Sequence, residues 1–443
     1  MTKNQYIRSL IFCTTFISSV PAMSQEAPIA PPPPPNNGNS APVGQGNPAV
    51  QSLMQSDSLS RADAEERIAL QADILALLQK SSLLEAAGFV DLAVQHKPVY
   101  QIWLNFEDNS EKSALLKEIP PKMRRYVKIR QAKHDNSGRS AGFNALSKAI
   151  TTLGQPYPIG YDSVEEKFFV DVPDTATRAA VLATIPPGLA DNVRVDVGPI
   201  PVPEQNASTS AIPTGATSGD WAAAGYRTTS SSNSTNPGAP CTLAYPVTFG
   251  TNLRGILTAG HCTEPKFVRY SDHDVTFPAA YFERFGSGNY DVAIYRTDGL
   301  NTDYQLYYSN DYGIPEFPRN GWLNTKNFIR LANQWQGMSI CISGSVIGLA
   351  CGKIVTKTYD WRGTGTSVFV KLSSTAQGDI SQSGDSGSAV FAYVNPNSTI
   401  DISATGIHVA GSGSGSTAVS VVMPIDRIFE LGITNLKLVT TPW

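Results

Sequence analysis

The feature that most constrains this chain is a succession of short, β-branched runs in its C-terminal half, each closed by glycine, serine or asparagine. They read YPVTFG, RGILTAG, DVAIYR, GMSICISG, GKIVTKTY, SVFVKL, SAVFAY, ATGIHVAG and AVSVVMPI. Short runs rich in Val, Ile, Phe and Tyr with frequent turn residues specify strands, and many such strands form a sandwich or a barrel. IDRIFELG then closes the chain as a short helix. The expectation for residues 221–443 is an all-β domain.

Ahead of it the pattern changes. Residues 97–198 alternate strand-like runs (VYQIWLNF, RYVKIRQA, KFFVDV, VRVDVG) with helix-like ones (SEKSALLKEI, GFNALSKAITTL, TATRAAVLATI). In the second helical run Phe143, Leu146, Ile150 and Leu153 form one stripe. This predicts a small α/β unit with mixed strands. A helix precedes it, capped by Ser60, with Asp63, Glu65 and Glu66 in its first turns and Leu70, Ile74, Leu77 and Leu78 on one face. His96 and His134 stand isolated here and are assigned surface or capping roles. Residues 25–56 are proline-rich without an aromatic residue, and PVPEQNASTSAIPTGATSGD reads as a second linker.

At the N-terminus, Lys3 and Arg8 precede a short, mostly apolar run from Leu10 to Val20, and PAMS offers a cleavage site before Gln25. This is the pattern of a secretory signal, and the run is too short for the roughly 20 residues that cross a bilayer. The expected organisation is therefore a signal peptide at 1–24, a linker at 25–56, the α/β region at 57–200, a linker at 201–220 and the β domain at 221–443. The expected location is extracellular.

Charged residues make up 16% of the chain, well under the usual quarter, and the net charge is −3 with no basic run. Nucleic acid and anionic membranes are thereby excluded as electrostatic partners. Of five cysteines, Cys13 falls in the signal. Cys241, Cys262, Cys341 and Cys351 remain, and in an exported chain disulfides are the expected use, with three pairings open. No CxxC or HxxxH spacing supports zinc. Asp272 and Asp274 in SDHDV read as a solvated turn, so neither a metal nor a cofactor is expected.

Within the β half stand LTAGHC with His261, NYDVAIY with Asp291 and SGDSGSA with Ser386. A serine hydroxyl is a weak nucleophile at neutral pH and needs a base such as histidine. The histidine needs a buried anion to fix its tautomer, and an aspartate serves. The developing oxyanion needs convergent backbone N–H groups, which a glycine before the serine lets the loop supply.

In the order His, Asp, Ser these motifs resemble the chymotrypsin family of serine proteases. Within it the chain is most similar to secreted bacterial members such as α-lytic protease and the streptogrisins. The resemblance covers roughly residues 221 to 443. It implies two six-stranded antiparallel β-barrels with the active site between them. His261, Asp291 and Ser386 would be catalytic, and the amides of Gly384 and Ser386 would form the oxyanion hole. Asp385 would be buried against a new N-terminus or a local partner. CISGSVIGLACGKI resembles a Cys-bounded loop of these enzymes, which implies Cys341–Cys351 and leaves Cys241–Cys262. The α/β region looks like their pro-region, acting in cis as folding chaperone and inhibitor.

The chain departs from the family in two places. Gln382 stands where many relatives carry a disulfide cysteine, and GDSGS replaces GDSGG. The opposite pocket wall is GIHVAGSG, with His408, Val409 and Gly411. Its Gly-Ile-His resembles the glutamyl endopeptidases, and Ser383 fits a serine-lined pocket. Preference for an acidic residue before the cleaved bond of a protein or peptide substrate follows, and Glu204 then becomes a self-processing site, with cuts nearer Asp220 equally open. A non-catalytic surface-binding protein on the same fold is the alternative.

Overall fold

The computed structural model describes residues 46–107, 112–203, 221–225, 227–229, 241–262, 267–270, 273–276, 280–285, 290–297, 301–309, 320–364, 369–374 and 378–440. The signal segment with Cys13, and also Glu204, Asp220 and Asp272, lie outside the described residues.

Helix Pro48–Asp57 corrects the first linker expectation, because it begins inside that segment. The Asn47 side chain accepts the Ala49 N–H at 2.9 Å, and Pro48 sits in the first turn, where a missing N–H costs nothing. Ala49, Val50 and Leu53 are buried in one core with residues of the β half, so apolar contact overrides the proline-rich flank. The next helix spans Arg61–Leu78, and the Ser60 hydroxyl accepts the Asp63 N–H at 3.2 Å.

Two three-stranded sheets follow, both mixed as expected. Phe89–Gln95 pairs antiparallel with Gln101–Phe106, which pairs parallel with Val127–Gln131. Ile159–Asp162 pairs antiparallel with Lys167–Val172, which pairs parallel with Val193–Val197. Helix Asn136–Thr151 covers the second sheet and buries Phe143, Leu146 and Ile150 on it. His134 is half-buried against the rings of Tyr161 and Phe168.

His96 corrects its surface assignment. Its side chain is 9% exposed, 3.2 Å from Asp57 and 2.7 Å from the Gly337 carbonyl. Asp57 also takes the Lys353 ammonium at 2.7 Å, so this buried cluster joins the N-terminal helices to the β half. A second junction places Asp171 2.6 Å from both the Lys371 ammonium and the Tyr359 hydroxyl.

The β half contains a closed six-stranded antiparallel barrel. Strand Ser339–Gly344 pairs with Gly348–Asp360, then in turn come Phe369–Ser374, Val419–Pro424, Asp401–Ser412 and Ala389–Ala392, which pairs back to the first. Closure removes exposed edges. Antiparallel sheets of five strands (Ala280–Phe285, Asp291–Arg296, Leu253–Thr258, Pro246–Phe249, Lys437–Leu438) and four strands (His273–Thr276, Phe267–Tyr270, Arg227–Thr229, Cys241–Thr242) lie beside it. Strand Asn320–Phe328 pairs parallel with Asp401–Ser412 and antiparallel with Asn301–Ser309, which pairs parallel with Trp221–Ala224. The end of the long strand Gly348–Asp360 leaves the barrel and pairs Tyr359 with Gly160 and Asp360 with Ile159. The second N-terminal sheet is thus continuous with the barrel.

Candidate active site

Three loops bring His261, Asp291 and Ser386 together. Asp291 starts a strand that pairs with Leu253–Thr258, and His261 lies in the turn directly after the latter. Ser386 lies in the turn before Ala389–Ala392 of the barrel. His261 Nε2 is 2.8 Å from Ser386 Oγ. Its Nδ1 is 2.9 Å from Asp291 Oδ2 and 3.1 Å from Oδ1, and its backbone N–H donates to Oδ1 at 3.0 Å. All three residues are 1% exposed or less.

Glycine permits this meeting of sheets. Gly387 has φ +90°, and a Cβ there would lie 2.2 Å from both Thr242 O and Thr258 Oγ1. The Thr242 N–H donates to Ser386 O at 2.7 Å, and the Thr242 hydroxyl donates to Gly384 O at 2.9 Å. The Cys241–Cys262 disulfide joins the strand carrying Thr242 to the turn carrying His261.

Asp385 points away from the nucleophile. Its carboxylate accepts the amides of Val346 at 2.8 Å, Gln382 at 2.8 Å and Ile347 at 3.2 Å, and it is fully buried. Val346 and Ile347 belong to the tip of the hairpin whose strands Cys341–Cys351 staples. Within the loop the amides of Asp385 and Ser388 donate to Gln382 O and Asp385 O, both at 2.9 Å, and the Gly387 amide donates to His408 O at 2.7 Å.

The second set of expected residues lies on and beside strand Asp401–Ser412. His408 is buried, with Nδ1 2.7 Å from Ser420 Oγ, while its N–H donates to Ser388 O at 2.9 Å. Val409 is buried and Ser383 is half-buried. Gly411 exchanges two hydrogen bonds of 3.0 Å with Val202, at the start of the second linker.

Arg362 was not singled out on sequence. Its Nη2 is 3.3 Å from Asp291 Oδ2 and its Nη1 donates to Tyr290 O at 3.4 Å. No local motif marks it; only the folding of the turn after Asp360 brings it to the aspartate.

No protein-family model matches the chain, and no curated protein matches it. Among solved structures it is similar to Thermobifida fusca Protease A, at 21% identity and a TM-score of 0.36, over 50% of this chain and 100% of that one. It is similar to Cellulomonas bogoriensis chymotrypsin at 22% identity and a TM-score of 0.33, over 50% and 100%. A glutamic acid-specific serine protease described as using a histidine triad in substrate binding is similar at 23% identity and a TM-score of 0.34, over 47% and 96%.

Proposed function

We propose that the chain is a secreted serine endopeptidase made as a precursor. The observation that carries this is the run Ser386 Oγ, His261 and Asp291, at 2.8 Å and 2.9 Å in one buried site. Ser386 attacks the scissile carbonyl. His261 takes the hydroxyl proton and returns it to the leaving amine, while Asp291 holds the imidazole in the required tautomer. Water then attacks the acyl-enzyme by the same route in reverse. The amides of Gly384 and Ser386 receive the oxyanion.

Extended peptide substrates would pair with Gly411 through their main chain. The two bonds between Val202 and Gly411 support this, since they are the antiparallel pairing that such a peptide would make. A linker start paired in the manner of a substrate fits self-cleavage after Glu204, two residues beyond Val202, which completes the precursor reading. The N-terminal α/β region acts in cis as the pro-region. His408 and Ser383 favour a substrate carboxylate before the cleaved bond, because hydroxyl and imidazole donors bind an anion without a permanent buried charge.

Ser386→Ala should reduce peptide hydrolysis by about 10⁴-fold or more, with the fold intact by circular dichroism. An active-serine phosphonate should label the parent chain and not the variant. A parent chain that neither hydrolyses peptides nor takes the label is instead a non-catalytic binding protein on this fold.

A further inference from the structure

Asp291 is a fully buried carboxylate pinned from two sides. On one side its Oδ1 takes the His261 backbone N–H at 3.0 Å. On the other its Oδ2 takes the Arg362 guanidinium at 3.3 Å. A carboxylate without water needs charged or hydrogen-bonding partners to stay in place. Arg362 suits this because its planar fork spans two acceptors at once, Asp291 Oδ2 and Tyr290 O. Its own freedom is restricted, since the guanidinium lies 4.8 Å from the centre of the Trp361 ring.

The turn that carries Arg362 is held from both ends. Asp360 Oδ1 accepts the Thr364 N–H at 3.0 Å and its hydroxyl at 3.3 Å. Gly363 has φ +63°, and a Cβ there would lie 2.6 Å from Pro156 Cβ and 3.0 Å from Tyr157 N. The Ser147 hydroxyl donates to Gly363 O at 3.4 Å, and the strand pairs Tyr359–Gly160 and Asp360–Ile159 lie just before the turn. The N-terminal α/β unit therefore grips the turn that reaches the aspartate.

We propose that Arg362 is a positioning residue for the reaction, acting through Asp291 to fix the orientation of His261. The inference rests on the endopeptidase reading above. Arg362 touches neither the nucleophile nor the bond it attacks, so its contribution belongs to turnover rather than to substrate affinity.

The test compares parent, Arg362→Gln and Arg362→Lys as secreted proteins, with each rate divided by active sites titrated with an active-serine phosphonate. Arg362→Gln should lower kcat about tenfold or more while KM stays within about twofold. Arg362→Lys, which keeps a cation at the site but not the fork, should recover part of the loss. The inference is overturned if the Gln variant turns over within about twofold of the parent, or if Lys does no better than Gln. A loss confined to KM, or to the fraction of titratable sites, overturns it as well. A parent chain without peptidase activity removes the endopeptidase reading and this inference together; an active parent with an indifferent Gln variant removes this inference alone.

Discussion

At the residue scale, the site combines groups whose roles were readable from short motifs with others placed only by folding. His261, Asp291 and Ser386 each sit at the end or start of a strand beside small residues, and such local context survives in the sequence. His408 was marked as well, but its partner Ser420 belongs to the neighbouring strand and could not be read from local text. If His408 and Ser383 serve the substrate carboxylate, matched peptides with Glu, Phe or Ala before the cleaved bond should separate clearly. A kcat/KM for Glu about 10⁴-fold above Phe and Ala is expected, the size of discrimination available when a site built around donors loses its acceptor. Preference for Phe or Ala would remove that specificity.

At the element scale, the strands were legible because each carries its own period, and runs such as SAVFAY and AVSVVMPI coincide with Ala389–Ala392 and Val419–Pro424. Several were not, among them the nine-residue strands Asn301–Ser309 and Asn320–Phe328. Helix Pro48–Asp57 is hidden by prolines and glycines that come before it, and Ile159–Asp162 is a four-residue strand whose Gly160 breaks the β-branched pattern. Gly160 has a packing reason. A Cβ there would lie 2.1 Å from the Phe169 ring, which itself lies face to face with Tyr359 of the long barrel strand at 6.2 Å. Gly160→Ala should therefore overpack the junction between N-terminal sheet and barrel, costing about 1–3 kcal/mol. Urea denaturation of parent and variant would measure it, and unchanged midpoints would show that the ring moves aside freely.

At the scale of the whole molecule, the α/β region and the β half share cores and buried charges. Such pairings, between 188 and 296 residues apart in sequence, leave no local trace, so their location was not legible. The cluster at Asp57 has a consequence for acid stability. Burial drives the His96 pKa below its usual value, and the hydrogen bond to Asp57 only partly opposes this, with the Lys353 cation acting in the same sense as burial. Arg67 and Lys97 also approach the cluster. For Asp57, burial works upward, but the hydrogen bond from His96 and the cation of Lys353 outweigh it and hold the carboxyl well below the usual range. The two shifts act alike. As pH falls through about 6.5, the unfolded chain gains a histidine proton that the folded cluster resists, so stability drops. Further loss follows below about pH 4, where the unfolded carboxylate protonates. The thermal midpoint of the precursor should therefore fall by about 3 °C or more between pH 7 and pH 5. His96→Gln should flatten that slope, and an identical slope in parent and variant would exclude His96 as its source.

The seat of Asp385 bears on how the precursor matures. Its negative charge is already answered by the amides of Val346 and Ile347 in the stapled hairpin and of Gln382 in its own loop. The loop around Ser386 thus takes its shape before any cut is made. On the precursor reading, activity then needs no newly freed amino group in that seat, and mature chains with ragged starts of different length would work as one enzyme population.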